Sequence, residues 1–253
     1  MRPAALAALG SGVFLAGIVD SLAGGGGLIT LPAYLAAGLP PALVLGTNKL
    51  ASSIGTSAAT WRYHRSLKFP LKSFLPLLGA AAAASWLGAR LATAVDPGYI
   101  RPLLLLALPV VSWLLWSRRD FGAADESRRM NSARRLRRGL LVAAPVGAYD
   151  GFFGPGAGTF YALGLARVAG LDLLGATGRA KALNLASNLA ALAAFVAARR
   201  VDWAVGLPMA ALSVAGNWTG ARLGVRRGAR IIRPAAALVC AALFGKLLLD
   251  ILR

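Results

Sequence analysis

The chain has 253 residues, of which 57% are hydrophobic, and its mean hydropathy is +0.64. A soluble protein of this length has too little interior to bury so much apolar sequence, so the composition predicts an all-α protein that crosses a membrane several times. The formal net charge is +19, but the basic residues cluster between apolar segments, which favours anionic lipid headgroups as their partners and argues against nucleic acid.

Apolar segments follow one another along the chain in two groups of four, each long enough for about one crossing of the hydrocarbon core. The segments cover residues 10–37, 41–60, 74–95 and 102–116, and then 140–168, 173–198, 205–223 and 234–252. A polar, arginine-rich stretch separates the two groups. We therefore divide one integral membrane domain into repeat 1 (1–117), a basic cytoplasmic linker (118–139) and repeat 2 (140–253).

The two groups repeat one sequence pattern about 130 residues apart. G-I-V-D-S-L-A-G-G-G-G-L matches G-A-Y-D-G-F-F-G-P-G-A-G, so that Asp20 falls on Asp150. Further along, and two residues out of step, Lys49 falls on Lys181. Because the matching positions are polar residues and glycines, the duplication indicates a site between two pseudo-symmetric halves.

Glycines interrupt the first apolar segment of each repeat, so that segment is predicted to be broken or re-entrant. These glycines are Gly24, Gly25, Gly26 and Gly27 in repeat 1, and Gly154, Gly156 and Gly158 in repeat 2. Lipid cannot satisfy the backbone groups that such a break leaves unpaired, so the break must pack in protein or line a polar cavity. The helix that restarts there presents N–H groups that favour an anion. Close packing of helices through small residues is the alternative interpretation.

Lys49 and Lys181 each lie in the second segment of a repeat. An ammonium buried without a partner costs several kcal/mol, so both lysines are predicted to face the bundle interior and to pair with Asp20 and Asp150. The two aspartates are candidate proton carriers, although the pairs could also serve only to hold helices together. The predicted hydrogen-bond donors to the anion are Asn48, Ser52, Asn184 and Asn188.

The membrane topology depends on whether each first segment crosses the membrane or turns back at its glycines. A full crossing gives parallel repeats and places the basic residues 226–233 on the side opposite the linker and residues 62–72. A turn gives inverted repeats with all three basic clusters on one side, which the positive-inside rule favours. Arg199 and Arg200 are exceptions to the positive-inside rule in this second arrangement, because they lie on the side opposite the three clusters.

Several motifs together resemble the TauE/SafE sulfite-exporter family: D-S-L-A-G-G-G-G-L-I-T-L-P, L-G-T-N-K, Y-D-G-F-F-G-P-G-A-G-T-F and A-K-A-L-N-L-A-S-N. The resemblance covers nearly the whole chain except the linker. It implies a multi-pass carrier in the plasma membrane that moves sulfite, sulfonates or related small organic anions.

The leading hypothesis is therefore a secondary transporter of a small, sulfur-containing anion, which works by alternating access of the two halves around a midplane site. The alternatives are an anion channel and a membrane-embedded enzyme that acts on a sulfur or lipid-linked substrate. The chain has one histidine, His64, and one cysteine, Cys240, which supply neither a nucleophile with its base nor a metal cluster. We therefore predict no enzyme activity, metal or cofactor, and the sequence leaves a homodimer open.

Overall fold

The chain is built from helices. The computed structural model describes residues 3–94 and 130–251, together with Asp125 and Ser127. Within these ranges the helices are α1 (Pro3–Ala23), α2 (Gly27–Ala36), α3 (Pro41–Leu67), α4 (Leu71–Ala94), α5 (Ser132–Phe152), α6 (Ala157–Val168), α7 (Leu173–Ala197), α8 (Trp203–Arg227) and α9 (Ala229–Ile251). The predicted all-α class is confirmed, and the segment predicted at 102–116 lies outside the described residues.

The first apolar segment of repeat 1 forms a hairpin of α1 and α2, which we call the first hairpin. Gly24, between the two helices, has φ +84°, a conformation that residues with a Cβ rarely adopt. Helix α2 then turns back along α1. The two helices are close at Gly12 of α1, where an added Cβ would lie 3.6 Å from the Cβ of Ala33 of α2. Tyr34 of α2 packs in one buried cluster with Leu9 of α1. The segment is re-entrant at its glycines.

Helices α5 and α6 form the equivalent second hairpin. Gly154 and Gly156 at its turn have φ +97° and +80°. Beyond the turn, α6 runs back along α5, since a Cβ on Gly164 would lie 2.7 Å from Cγ1 of Val142. Helix α5 begins at Ser132, within the stretch predicted as linker, and the side chain of Asn131 accepts a hydrogen bond from the Arg134 N–H at 2.8 Å.

The packing of the long helices follows the duplication. In the duplicated pattern, α1 corresponds to α5, α3 to α7 and α4 to α8. Helices α1 and α3 both pack on α8, and in the same way α5 and α7 both pack on α4; α3 and α7 also pack against each other. Three pairs of helices are parallel, because residues further along one helix contact residues further along the other. For α1 and α8 the contacts are Gly10 with Leu212 and Ser21 with Gly220; for α3 and α8 they are Leu50 with Gly206 and Tyr63 with Gly224; for α4 and α5 they are Leu77 with Gly139 and Ser85 with Gly151.

Helices α3 and α7 are antiparallel, because Gly46 lies against Phe195 whereas Tyr63 lies against Gly178. On α4 and α7 the contacts again advance together, from Ser85 with Ser187 to a cluster that contains Ala92 and Ala194. Helices α1, α3 and α8 therefore run in one direction, and α4, α5 and α7 run in the other. Each of these helices of repeat 1 runs opposite to its counterpart in repeat 2.

Basic residues collect at one end of the bundle, where α3 and α8 end and α4 and α5 begin. Residues 62–72, 134–138 and 222–233 lie at this basic end, whereas Arg199 and Arg200 lie at the opposite end, where Gly46 contacts the Arg200 carbonyl. By length and composition, three helical stretches among the described residues are apolar enough to cross a membrane: Ala5–Ala23, Phe74–Ala94 and Leu173–Ala197. The chain is a multi-pass membrane protein.

Candidate functional site

The tips of the two hairpins meet backbone to backbone. A Cβ on Gly24 would lie 2.1 Å from the carbonyl carbon of Gly158, and a Cβ on Gly158 would lie 2.6 Å from the Cα of Gly24. The hydroxyl of Thr159 donates a hydrogen bond across the junction to the carbonyl of Ala23. The contact between the tips therefore needs glycine on both sides.

Lys49 of α3 forms an ion pair with Asp150 of α5 beside this junction. Its Nζ lies 2.7 Å from Oδ1 of Asp150 and donates a second hydrogen bond to Oδ1 of Asn188 at 2.8 Å. The two charged side chains are only 4% and 2% exposed. At this depth an ion pair holds only if its remaining polar atoms also find partners.

The second carboxylate oxygen of Asp150 has such partners on α7. Its Oδ2 accepts a hydrogen bond from Nδ2 of Asn184 at 3.1 Å and another from the hydroxyl of Ser187. Both oxygens of Asp150 are therefore engaged, by one cation and two neutral donors. These contacts satisfy both oxygens of a carboxylate that is almost fully buried.

Lys181 of α7 forms the matching ion pair with Asp20 of α1. Its Nζ donates to Oδ2 of Asp20 at 3.1 Å and also to the backbone carbonyl of Asp20. The other carboxylate oxygen accepts only a long bond, 3.4 Å, from the N–H of Gly26. The Lys181 side chain is 1% exposed, whereas the Asp20 side chain is 18% exposed.

Each lysine thus pairs with the aspartate of the other repeat. The pairs join α3 to α5 and α7 to α1, so four helices and both hairpin tips meet at one place. Further hydrogen bonds fix the backbone around them: Thr60 to the Lys181 carbonyl at 3.0 Å, Tyr63 to the Ser21 carbonyl at 3.1 Å and Ser85 to the Ser187 carbonyl at 2.7 Å.

The predicted glycines take up different positions around the junction. Gly26 lies against Asp20, and Gly154 faces both Asp150 and Lys49, whose Nζ would lie 3.4 Å from a Cβ there. Gly156 is the N-cap of α6, and Gly27 packs against Pro155. Gly25 faces α9, where a Cβ would lie 2.4 Å from Cγ2 of Val239, so it lies away from the ion pairs.

Two predicted hydrogen-bond donors lie outside the network of ion pairs. Asn48 instead accepts a hydrogen bond at 2.7 Å from the hydroxyl of Thr30, which joins α3 to α2. Ser52 is half-buried, and none of the hydrogen bonds described for this part of the chain connects it to the lysines or the aspartates. The structure thus brings Asp20, Lys49, Asp150, Lys181, Asn184 and Asn188 together.

Sequence reasoning missed three side chains at the site: Thr159, Ser187 and Tyr161. Thr159 directly follows the second glycine run, so its position beside the break is visible in the sequence. Ser187 lies on the helical face of Asn184 and Asn188, so its spacing could have identified it. Tyr161 is fully buried near Asp150 and Ser187, and only the turn of α6 places it there.

The acidic residues of the described chain divide by role. Asp172 and Asp202 are N-caps, whose side chains accept hydrogen bonds from Gly175 N–H and Val205 N–H, both at 3.0 Å. Asp125 accepts from Ser127 in a turn. Asp20 and Asp150 serve neither purpose. Among the residues described, no three His, Cys, Asp or Glu side chains are grouped closely enough to hold a metal ion.

Such an arrangement can exchange charge partners inside the bundle. Two buried ammonium groups, two carboxylates, amides and hydroxyls lie together, and the two cations and two anions balance each other. An added anion has to displace a carboxylate from a lysine, or arrive with a compensating charge, because an unpaired charge at this depth is strongly unfavourable.

Comparison with known proteins places most of the chain in one group. Residues 9–247 match the family described as Sulfite exporter TauE/SafE. A "Probable membrane transporter protein ORF9" of Sinorhizobium sp is 39% identical over 245 residues, which are 97% of this chain and 93% of that protein. The "Probable membrane transporter protein YfcA" of Escherichia coli K12 is 38% identical over 236 residues, which are 93% of this chain and 87% of that protein.

A plant protein shares a shorter stretch. "Sulfite exporter TauE/SafE family protein 3" of Arabidopsis thaliana is 37% identical over 75 residues, which are 29% of this chain and 16% of that protein. No solved structure matches this chain.

Proposed function

The chain belongs to the sulfite exporter TauE/SafE family of membrane transporters, and we propose that it is a secondary transporter of small anions. We infer that its solute is sulfite, an organosulfonate or another small sulfur-containing or organic anion. The family description and the buried lysines support this class of solute, because an ammonium in a nearly dry site binds an oxyanion strongly.

The observation that carries the proposal is the pair of crossed Lys–Asp contacts at the junction of the hairpin tips. Lys49 and Lys181 supply positive charge, and Asn184, Asn188 and the backbone of the tips supply hydrogen-bond donors. Helix ends that meet inside a bundle next to ionisable side chains are typical of carrier binding sites.

We propose alternating access as the transport mechanism. Counterpart helices of the two repeats run in opposite directions, which is the geometry of an inverted repeat whose halves can exchange conformations. The first hairpin and the second hairpin approach each other backbone to backbone at Gly24 and Gly158, where no side chain separates their tips.

Substitution of Lys181 by alanine tests the proposal. Because Lys181 is the cation whose partner is partly exposed, we expect Lys181→Ala to abolish uptake of labelled sulfite or sulfonate by proteoliposomes, while the protein still folds and inserts. The solute for this assay is chosen by thermal-shift screening against sulfite, sulfate, thiosulfate, sulfonates and carboxylates, because a ligand at a hundred times its Kd stabilises the folded protein by about 2.7 kcal/mol.

The matched control is Lys68→Ala. Lys68 is exposed beyond the end of α3, so its removal leaves the interior charges intact and should leave uptake unchanged. Uptake by the Lys181→Ala protein equal to that of the wild type would exclude this lysine from the transport path. Single-channel conductance from the wild type would replace the carrier with a channel.

A further inference from the structure

The two ion pairs differ, although the sequence pattern around them repeats. Asp150 is 2% exposed and both its oxygens are engaged by Lys49, Asn184 and Ser187. Asp20 is 18% exposed, lies 3.1 Å from Lys181 and has only a 3.4 Å bond to its other oxygen. The carboxylate of Asp20 is therefore held by fewer hydrogen bonds and is less enclosed than the carboxylate of Asp150.

The difference between the two ion pairs corresponds to a difference in sequence between α3 and α7. When Lys181 is aligned with Lys49, Asn184 falls on Ser52 and Ser187 falls on Gly55. Repeat 1 thus lacks the amide and the hydroxyl that bind Asp150 in repeat 2. The space beside Gly55 is taken instead by α8, since a Cβ there would lie 2.0 Å from Oγ of Ser213 and 2.8 Å from Nδ2 of Asn217.

The cation that the structure pairs with Asp20 is Lys181 of α7. On α3, the hydroxyl of Tyr63 donates to the neighbouring Ser21 carbonyl, and Lys49 pairs with Asp150. Helices α2 and α6 bring the tip residues Gly26 and Gly158 toward α1. The contacts described between α1 and helices α8 and α9 involve small or apolar side chains and backbone atoms of Ser213 and Asn217.

Lys181 can lose the charge of Asp20 and still keep a hydrogen-bond partner. Its Nζ also donates to the backbone carbonyl of Asp20, which protonation of the side chain leaves in place. Protonation alone, however, leaves an uncompensated cation in a nearly dry site, which is strongly unfavourable. A monovalent anion that arrives with the proton restores neutrality.

We propose that Asp20 is the carboxyl group that gains and loses a proton during transport, that the solute anion replaces it as the counter-ion of Lys181, and that Asp150 stays ionised as the fixed partner of Lys49. This inference rests on the proposed function. One proton from the solution binds an Asp20 oxygen for each monovalent anion that binds Lys181, so the two move together in the same direction without net charge.

The first test follows the carboxyl group directly and does not depend on transport. Infrared difference spectra of the purified, reconstituted protein are recorded during a pH titration in the presence of sulfite. We expect a protonated-carboxyl C=O band that grows as pH falls in the wild type and is lost in Asp20→Asn. A band that persists in Asp20→Asn overturns the proposal.

The matched measurement removes the other pair. Asp150→Asn alone leaves Lys49 without a counter-ion, so the variant used is Lys49→Gln with Asp150→Asn, which takes away both charges and keeps hydrogen-bonding groups. The carboxyl band should titrate in this double variant as it does in the wild type. Loss of the band would mean that Asp150 is the group that titrates.

The second test measures flux in proteoliposomes. An inward proton gradient should drive accumulation of the anion by the wild type, with no dependence on membrane potential for a monovalent anion, and Asp20→Asn should lose this accumulation. Flux that depends on potential, or gradient-driven accumulation by Asp20→Asn, contradicts the coupling. A titrating Asp20 band in a protein that moves none of the screened anions would instead reject the proposed function.

Discussion

Lys49 is the residue on which the buried ion pairs depend most. Without its ammonium, the carboxylate of Asp150 stays buried with two neutral donors and no cation. Loss of one partner of a buried ion pair costs about 3–5 kcal/mol, because the remaining charge is uncompensated. Lys181 differs, since the carboxylate that it leaves behind, that of Asp20, is 18% exposed.

We therefore predict that Lys49→Ala lowers the melting temperature of the purified protein strongly and that Lys181→Ala lowers it less. Thermal unfolding in detergent, followed by tryptophan fluorescence, measures both. Lys68→Ala is the control, because substitution of an exposed residue changes stability by less than about 0.5 kcal/mol. Equal melting temperatures for the two interior variants would show that the pairs are energetically equivalent.

The residues of the site were largely accessible to sequence reasoning. A lysine or an aspartate within an apolar segment needs a partner, so Asp20, Lys49, Asp150 and Lys181 could be identified and paired in principle. The sequence could not show which aspartate pairs with which lysine, because either aspartate can neutralise either lysine. Asn48 shows the same limit: its spacing suits the site, but the turn of α2 brings Thr30 to it instead.

At the scale of elements, the hairpins depend on glycine where their tips touch. A methyl group on Gly158 would meet the Cα of Gly24 at 2.6 Å, and both atoms belong to buried backbone that cannot move aside alone. Overpacking of this kind typically costs about 1–3 kcal/mol. The tips would have to separate to accept it.

We predict that Gly158→Ala lowers the melting temperature and the yield of folded protein, and that Gly24→Ala lowers both further, because Gly24 also has φ +84°. Size-exclusion chromatography and thermal unfolding measure the two effects. The control is Gly79→Ala in α4, where no atom lies within 4 Å of an added Cβ. If Gly158→Ala behaved as Gly79→Ala does, the contact between the tips would be wrong.

Helix positions followed from the apolar segments, but the path of the chain at the breaks did not. Four glycines in a row predict that a helix stops, because glycine has no side chain to restrict the backbone. They do not determine whether the chain continues across the membrane or turns back. Contacts of α2 with α1 and of α6 with α5 decide this, and they place both short helices alongside the helices that precede them.

For the whole molecule, the directions of the helices determine which loops share a side of the membrane. The loops that follow α3 and α8 lie at the basic end, and the loop between α7 and α8 lies at the other end. Basic loops are retained in the cytoplasm, so the basic end is expected to face inward despite Arg199 and Arg200.

Cysteine labelling in intact cells tests this topology. In a background with Cys240→Ser, Lys68→Cys and Arg227→Cys should be protected from a membrane-impermeant maleimide, and Arg199→Cys should react with it. Permeabilised cells, in which all three should react, provide the control. Labelling of Lys68→Cys and Arg227→Cys from opposite sides would favour parallel repeats.

The sequence by itself determined that this is a multi-pass, all-α membrane protein and that its pattern is duplicated, and it predicted a site at the glycine runs and four charged residues. These conclusions follow from hydropathy and from the cost of a buried charge, which are local properties of the chain. Only the tertiary structure decided that the hairpins meet at Gly24 and Gly158, that each lysine reaches into the other repeat, and that Asp20 is less enclosed than Asp150. Those facts depend on which helices lie side by side, and residues more than a hundred positions apart in the chain have no local signal that specifies their contact.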